Sequence, residues 1–182
     1  MNKLRFSFRE KQIVLLLSFI FCLSFYSTQV KGQNYAPDLP QRSGTVSSTQ
    51  NLQFGDLTIQ SGSSGGTVSV GYDGSRTATG NVCLLNLGNT PHQAIFEFKL
   101  CPGRTVTITY PETTLLTGSN GGSITLHVGP TNFGTSGSVF TSNKGCDDVH
   151  LIYVGGTIDV GSIASNPAGL YTGSFSLTFV QE

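Results

Sequence analysis

The stretch "GCDDVH", residues 145–150, is the densest group of side chains in the chain that could do chemistry. On a strand, Cys146, Asp148 and His150 would share one face, because successive strand side chains point to opposite sides. A thiolate, a carboxylate and an imidazole are all metal ligands. The spacing is not that of a zinc motif and no second ligand set accompanies it, which favours a polar turn before a strand beginning near Val149. We predict no metal site and no cofactor, and keep these three residues as weak metal candidates.

The sequence lacks the other patterns that are typical of enzymes. His92 lies in a loop that contains proline, and His127 lies within "TLHV". Neither accompanies a nucleophile elbow, and no glycine-rich loop leads into a helix that could hold phosphate. The segment "GSSGG" has the composition of a flexible linker. We therefore predict that the protein is not an enzyme.

The cysteines predict one disulfide. The chain has four cysteines, of which Cys22 lies in an apolar leader, so three remain. An odd number in an oxidising compartment leaves one thiol unpaired. Cys83 and Cys101 flank a predicted hairpin, and a bond between them would contribute about 3 kcal/mol by loop-closure entropy. We favour Cys83–Cys101 with Cys146 free and able to couple two chains, and Cys101–Cys146 stays open as the alternative.

A ligand-binding face for sugars would need exposed aromatic rings, and the chain has no tryptophan. Tyr110, Tyr153 and Tyr171 lie in strand patterns and are predicted to be core or sheet-edge residues. Tyr72 precedes the turn sequence "DGS". It is our candidate for a ligand face.

The N-terminal residues are typical of a secretory signal peptide. A basic segment precedes the apolar stretch from Ile13 to Tyr26, which is too short to span a bilayer. We place the signal peptide at residues 1–32 and the mature start near Gln33, and expect no membrane span after cleavage. Five of the ten basic residues and one of the ten acidic residues lie in this leader, so the remaining chain has a net charge of −4. Such a charge excludes an electrostatic surface for nucleic acid.

The mature chain divides into an extension and one domain. Residues 33–50 contain two prolines and no apolar period, which predicts a flexible N-terminal extension. Residues 51–182 alternate apolar and polar positions, as in "AIFEFKL", "RTVTITY" and the closing "GLYTGSFSLTFVQE". This two-residue period, repeated between turn signals, predicts an all-β antiparallel sandwich. In "LIYVGGTIDV" the glycine pair predicts either a hairpin turn or a bulge.

The order of motifs also carries a resemblance. The series "LQFGDLTI", "TATGNVCL", "AIFEFKLCPGRTVTITYP", "LIYVGGTIDV" and "GLYTGSFSLTFV" spans roughly Leu52 to Val180. It resembles a family of secreted bacterial proteins known as domain of unknown function 4402. That family is similar in pattern to pilin-like proteins, including the common-pilus major subunit and the spore coat protein U group. The resemblance implies an immunoglobulin-like, pilin-like sandwich that is exported and assembled at the cell surface.

These observations predict a secreted, non-enzymatic protein with a structural or adhesive role, in the form of a fimbria-like subunit. Its expected location is the periplasm, cell surface or exterior of a bacterium, and its expected partners are its own copies or other surface proteins. The alternative is a stand-alone binding module for a glycan or host ligand. The resemblance implies donor-strand assembly, in which a neighbour's N-terminal extension completes the sandwich, but Tyr35, Leu39 and Val46 are too irregularly spaced to form a good donor. We expect the C-terminal strand to fill the core of its own domain.

Overall fold

The computed structural model describes residues 45–181. The predicted signal peptide, residues 1–32, and residues 33–44 of the predicted extension lie outside the described residues. The described part contains thirteen strands and no helix, because β-branched and aromatic residues alternate with polar ones throughout. The strands are β1 (Thr45–Gln50), β2 (Leu57–Ile59), β3 (Gly66–Val70), β4 (Arg76–Gly80), β5 (Val82–Leu84), β6 (Ala94–Lys99), β7 (Thr105–Thr109), β8 (Thr113–Gly118), β9 (Ser123–Thr131), β10 (Ser138–Thr141), β11 (Val149–Val160), β12 (Tyr171–Thr172) and β13 (Thr178–Gln181).

One large sheet of eight strands is organised around β11. On one side of β11, β6 pairs with residues 149–154 and β3 pairs with residues 156–160, so these two strands lie end to end. On the other side β11 pairs with β9, which leads through β8 to β12. The large sheet is completed by β1 beside β6 and β4 beside β3. All of these pairs are antiparallel, and the sheet curls into a half-barrel around the core.

The glycine pair of β11 marks a bulge and not a hairpin. The strand runs through Gly155 and Gly156 without turning, while its register with β9 shifts between Val154 and Gly156. A side chain at Gly155 could not be accommodated, because a Cβ atom there would lie 2.4 Å from the carbonyl oxygen of Val70. Because Gly155 has no side chain, the end of β3 can lie close to the β11 backbone at the position between the β6 and β3 pairings.

The second layer consists of two smaller sheets, β10-β7-β13 and β2-β5. Their inward side chains meet those of the large sheet in a single core cluster. The alternation predicted for "RTVTITY" is present, since Val106 and Ile108 are fully buried. The largest core side chain is Phe98, whose ring stacks on Phe179 at a centroid distance of 5.1 Å. The prediction of an all-β antiparallel sandwich is confirmed, and its immunoglobulin-like form stays a prediction.

The C-terminal segment does not form one continuous strand but passes from one layer to the other. It pairs with β8 as β12 and with β7 as β13. Tyr171, Phe175, Leu177 and Phe179 pack against the core, as predicted. Gly173 allows a close approach of this segment to β8, because a Cβ there would lie 2.6 Å from the carbonyl oxygen of Leu115.

The boundary between extension and domain lies earlier than predicted. The extension was predicted to run to Gln50, whereas Thr45–Gln50 form strand β1 and pair with β6. Five of these six side chains are exposed, which explains why the segment shows no apolar period. No helix in the described residues is long and apolar enough to cross a membrane.

Candidate functional site

The favoured disulfide Cys83–Cys101 is wrong, and the alternative pairing is present. Cys101 is bonded to Cys146, and Cys83 is a free, exposed thiol. The error lies in the assumed hairpin, because β5, which carries Cys83, pairs with β2 and places Cys83 opposite Thr58. The strand that leads to Cys101 is β6, and its neighbour is β11, which follows Cys146. The β6–β11 pairing thus brings Cys101 and Cys146 together.

The three weak metal candidates do not form a site. Cys146 is bonded to Cys101 and so offers no thiolate. The Asp148 carboxylate accepts a hydrogen bond of 3.0 Å from the Gly145 amide, within the turn that precedes β11. His150 points into the core and is 5% exposed. Within residues 45–181, no group of three histidine, cysteine or acidic side chains is placed to hold a metal ion.

A buried serine–histidine contact does occur, but its hydrogen bonds rule out a nucleophile and base. Ser142 Oγ lies 2.8 Å from His150 Nε2 and donates its proton to the Leu100 carbonyl oxygen at 3.0 Å. A hydroxyl has one proton, so His150 Nε2 must donate to Ser142 and cannot receive its proton. Burial lowers the pKa of His150, the charge of Lys144 lowers it further, and Asp148 opposes the shift. The pair therefore holds a neutral imidazole in a structural role.

The remaining histidines and the tyrosine candidate lie apart from one another. His127 Nε2 lies 2.7 Å from Asp159 Oδ2 on the exposed face of the large sheet. His92 makes an isolated bridge with Gln53 in a loop. Tyr72 lies exposed in the turn between β3 and β4. Its role as a ligand face stays a prediction.

A further candidate site is an apolar groove of about 780 Å³ that the sequence did not predict. One wall is formed by residues 51–59, which include β2, and the other by residues 166–175, which include β12. Between these walls the groove opens onto apolar side chains of the large sheet. This floor consists of Phe96, Leu116, Ile124, Leu126, Ile158 and Val160. We call this feature the apolar groove.

Both walls of the apolar groove are edges of extended chain. The only strand that pairs with β2 in the described part of the chain is β5, so the opposite edge of β2 is free. The segment Gly173–Leu177 between β12 and β13 belongs to no strand, and no backbone–backbone hydrogen bond involves it in the described residues. Thr114 Oγ1 donates a hydrogen bond to the Ser174 carbonyl oxygen in this segment, at 3.1 Å. Main-chain donors and acceptors are thus available along both sides of an apolar floor.

The rim of the apolar groove carries two exposed apolar side chains and very little charge. Ile163 and Leu170 are 50% and 70% exposed at its rim. Among the described residues that line it, Asp56 is the one side chain that is charged at neutral pH. Its carboxylate accepts hydrogen bonds from the side chain of Asn89 at 2.6 Å and from the backbone amide, and these lower the pKa of Asp56. The lining thus combines apolar side chains with uncharged polar groups, and it suits an uncharged occupant that has both apolar and hydrogen-bonding groups.

Sequence reasoning missed the apolar groove because its walls come from opposite ends of the domain. Alternation shows that Leu57 and Ile59 face the core, but it does not show which chain lies beside them. The sequence offered one local signal, since Leu170 lies among small and polar residues where a buried leucine would not be expected. An isolated exposed leucine is common, however, and becomes informative only beside a groove.

Comparison with known proteins gives one match. The model of a family described as a domain of unknown function, DUF4402, matches residues 45–180. No curated protein and no solved structure matches the chain. The match covers every strand of the sandwich except the last residue of β13.

Proposed function

Because the chain belongs to the DUF4402 family, whose description assigns no activity, we propose a function from the surface of the molecule itself. The protein is a secreted, non-enzymatic β-sandwich with a structural or adhesive role at the bacterial cell surface, in the form of a fimbria-like subunit. Its immunoglobulin-like character and its export are parts of this proposal. The apolar groove is the observation that carries it.

The apolar groove has the features of a site for an extended polypeptide. A strand laid between β2 and the segment Gly173–Leu177 could exchange backbone hydrogen bonds with both walls. Its alternate side chains would cover the apolar floor, and burying each large one would contribute about 1.5–3 kcal/mol. A docked strand would also protect the free edge of β2, which is otherwise open to pairing with other chains. These features support assembly with another chain at the surface.

Ring stacking gives less support to a glycan in the apolar groove. Tyr171 is the one tyrosine in its lining, and its hydroxyl donates to the Pro167 carbonyl oxygen at 2.8 Å. The ring also packs against the core, which leaves little of its face for a sugar. The stand-alone binding module is therefore the second candidate for this site.

The test is the assembly state of the exported protein. We would express the full chain with its own leader in a bacterium, recover the exported form, and examine it by size-exclusion chromatography and negative-stain electron microscopy. The expected result is a species larger than one chain, with fibres or ladders that resist SDS. Ile163→Asp should convert it to monomers, because a carboxylate at the rim would be desolvated by a docked strand.

Val139→Asp is the matched control. Val139 is 58% exposed on β10 and lies outside the apolar groove, so this change adds the same charge without altering the site. Assemblies that survive Ile163→Asp, or that are lost equally in both variants, would contradict a role for the groove. An exported protein that is a clean monomer at every concentration would contradict the fimbria-like proposal and favour the binding module.

A further inference from the structure

A second cleft, of about 510 Å³, shares no residue with the apolar groove. Its floor is the outer side of β6 and β11, and two loops form its sides. The loop after β9 contributes Asn132 and Phe133, and the loop after β10 contributes Asn143 and Lys144. We call this site the loop cleft.

Both loops are held in place by specific contacts. The Asn132 side chain donates to the Leu151 carbonyl oxygen at 3.0 Å and accepts from the Tyr153 amide at 2.9 Å. The other loop is tied by the disulfide at Cys146, and Lys144 Nζ donates to the Val149 carbonyl oxygen at 2.7 Å. A site that is already ordered loses little conformational entropy when a ligand binds.

The loop cleft differs from the apolar groove in the partner that it can take. Asn132 occupies the edge of β11 with its amide, and its backbone amide also donates to the Tyr153 carbonyl oxygen at 3.1 Å. No peptide strand can therefore be added to β11 at this point. A ligand of the loop cleft must be recognised by side chains.

The free side chains of the loop cleft are a mixture of acceptors, donors and apolar groups. Within residues 45–181, the Glu97 carboxylate and the Asn143 amide have no hydrogen-bond or ionic partner, and Lys144 gives one of its three protons to Val149. Leu151 is 38% exposed, and the ring of Phe133 is fixed by stacking on Phe140 at 4.4 Å. One negative and one positive side chain leave the cleft without net charge.

We propose that the loop cleft binds a neutral saccharide. A sugar ring has an apolar face of C–H groups and a rim of hydroxyls that both donate and accept. Leu151, which is 38% exposed, and the part of Phe133 that lines the cleft match the apolar face. Glu97 accepts from hydroxyls, Lys144 donates to them, and Asn143 does both. A charged ligand would be repelled by the side chain of the same sign, Glu97 or Lys144. A purely apolar ligand would bury the Glu97 carboxylate without a partner.

The test is an NMR titration of the exported protein carrying Ile163→Asp, which is expected to be monomeric and whose change lies outside the loop cleft, with methyl glycosides of glucose, galactose, mannose and N-acetylglucosamine. At least one is expected to bind with millimolar affinity and to shift the amide signals of Asn132, Asn143 and Leu151 while leaving β2 unchanged. Glu97→Ala and Asn143→Ala should each weaken binding about tenfold or more, because each removes hydrogen bonds made only to the ligand.

Glu112→Ala and Asn81→Ala are the matched controls, since both residues are exposed and lie outside the loop cleft. Both should leave the affinity unchanged. Failure of all four glycosides to shift the cleft signals would overturn the proposal, as would shifts that persist in Glu97→Ala and Asn143→Ala. Because β2 and the apolar groove are not involved, this outcome is independent of the assembly state of the protein.

Discussion

Replacing either half of the disulfide should cost a large part of the stability of the domain. The bond joins Cys101 to Cys146 across a sequence separation of 45 residues. Loop-closure entropy for a loop of that length gives about 4 kcal/mol at 25 °C, when the bond is taken to act on the unfolded chain. Native domains are stable by about 5–15 kcal/mol, so Cys101→Ser should leave a folded but weakened protein.

The measurement is urea unfolding of the oxidised protein, compared with three variants. Cys101→Ser and Cys146→Ser should each lower the free energy of unfolding by about 4 kcal/mol, and the double variant should cost no more than either single one. Cys83→Ser is the control, because that thiol is exposed and unbonded, and it should change the free energy of unfolding by less than about 0.5 kcal/mol.

Three results would refute this reasoning. The first is a loss in Cys83→Ser as large as that in Cys101→Ser, which would restore the Cys83–Cys101 pairing. The second is a peptide map under non-reducing conditions that lacks the Cys101–Cys146 fragment. The third is additive losses in Cys101→Ser and Cys146→Ser, because two residues that act only through one bond cannot each contribute separately.

Further predictions concern pH, the β11 glycine and the C-terminal segment. Burial lowers the pKa of His150, so as the pH falls the unfolded chain takes up a proton before the folded protein does. The free energy of unfolding should therefore decline below about pH 6.5. The urea midpoint of His150→Gln should depend less on pH. Gly155→Ala should lower the free energy of unfolding by about 1–3 kcal/mol, measured by heat or urea, since a Cβ would lie 2.4 Å from a backbone oxygen. Gly145→Ala is the control and should lower it less, because its Cβ would meet only the movable Asp148 carboxylate. Deleting residues 169–182 should abolish folding, because the segment supplies four apolar side chains that pack against the core. A truncated protein with native circular dichroism and a monomeric elution volume would contradict this.

Much of the fold could be predicted from local pattern. The two-residue period in "RTVTITY" requires Val106 and Ile108 to share a face, and both are fully buried. The same argument identified the core side chains of the C-terminal segment but not its break at Gly173–Leu177, where the chain changes layer. A change of partner sheet leaves the alternation intact, so the sequence gives no sign of it. The glycine pair of β11 was ambiguous for a similar reason, since a hairpin and a bulge both need small residues.

The candidate sites were less predictable than the fold. "GCDDVH" was a metal-site candidate because thiol, carboxylate and imidazole groups can all bind metals. In the structure Cys146 forms a disulfide, Asp148 lies in a turn and His150 lies in the core. The apolar groove joins residues 51–59 to residues 166–175, and the loop cleft joins two strands to two loops. No sequence spacing links such distant segments, because their proximity follows from strand order.

Patterns that repeat along the chain were enough to predict an antiparallel all-β domain, the inward side chains of strands such as β7, and the family motifs. These follow from alternation and turn residues, which act between near neighbours along the chain. The pairing of β6 with β11, which brings Cys101 to Cys146, and the free edge of β2 above apolar side chains are visible only in the folded molecule. A strand's backbone can pair with any other strand equally well, so its partner is selected by how all the side chains pack together in the core.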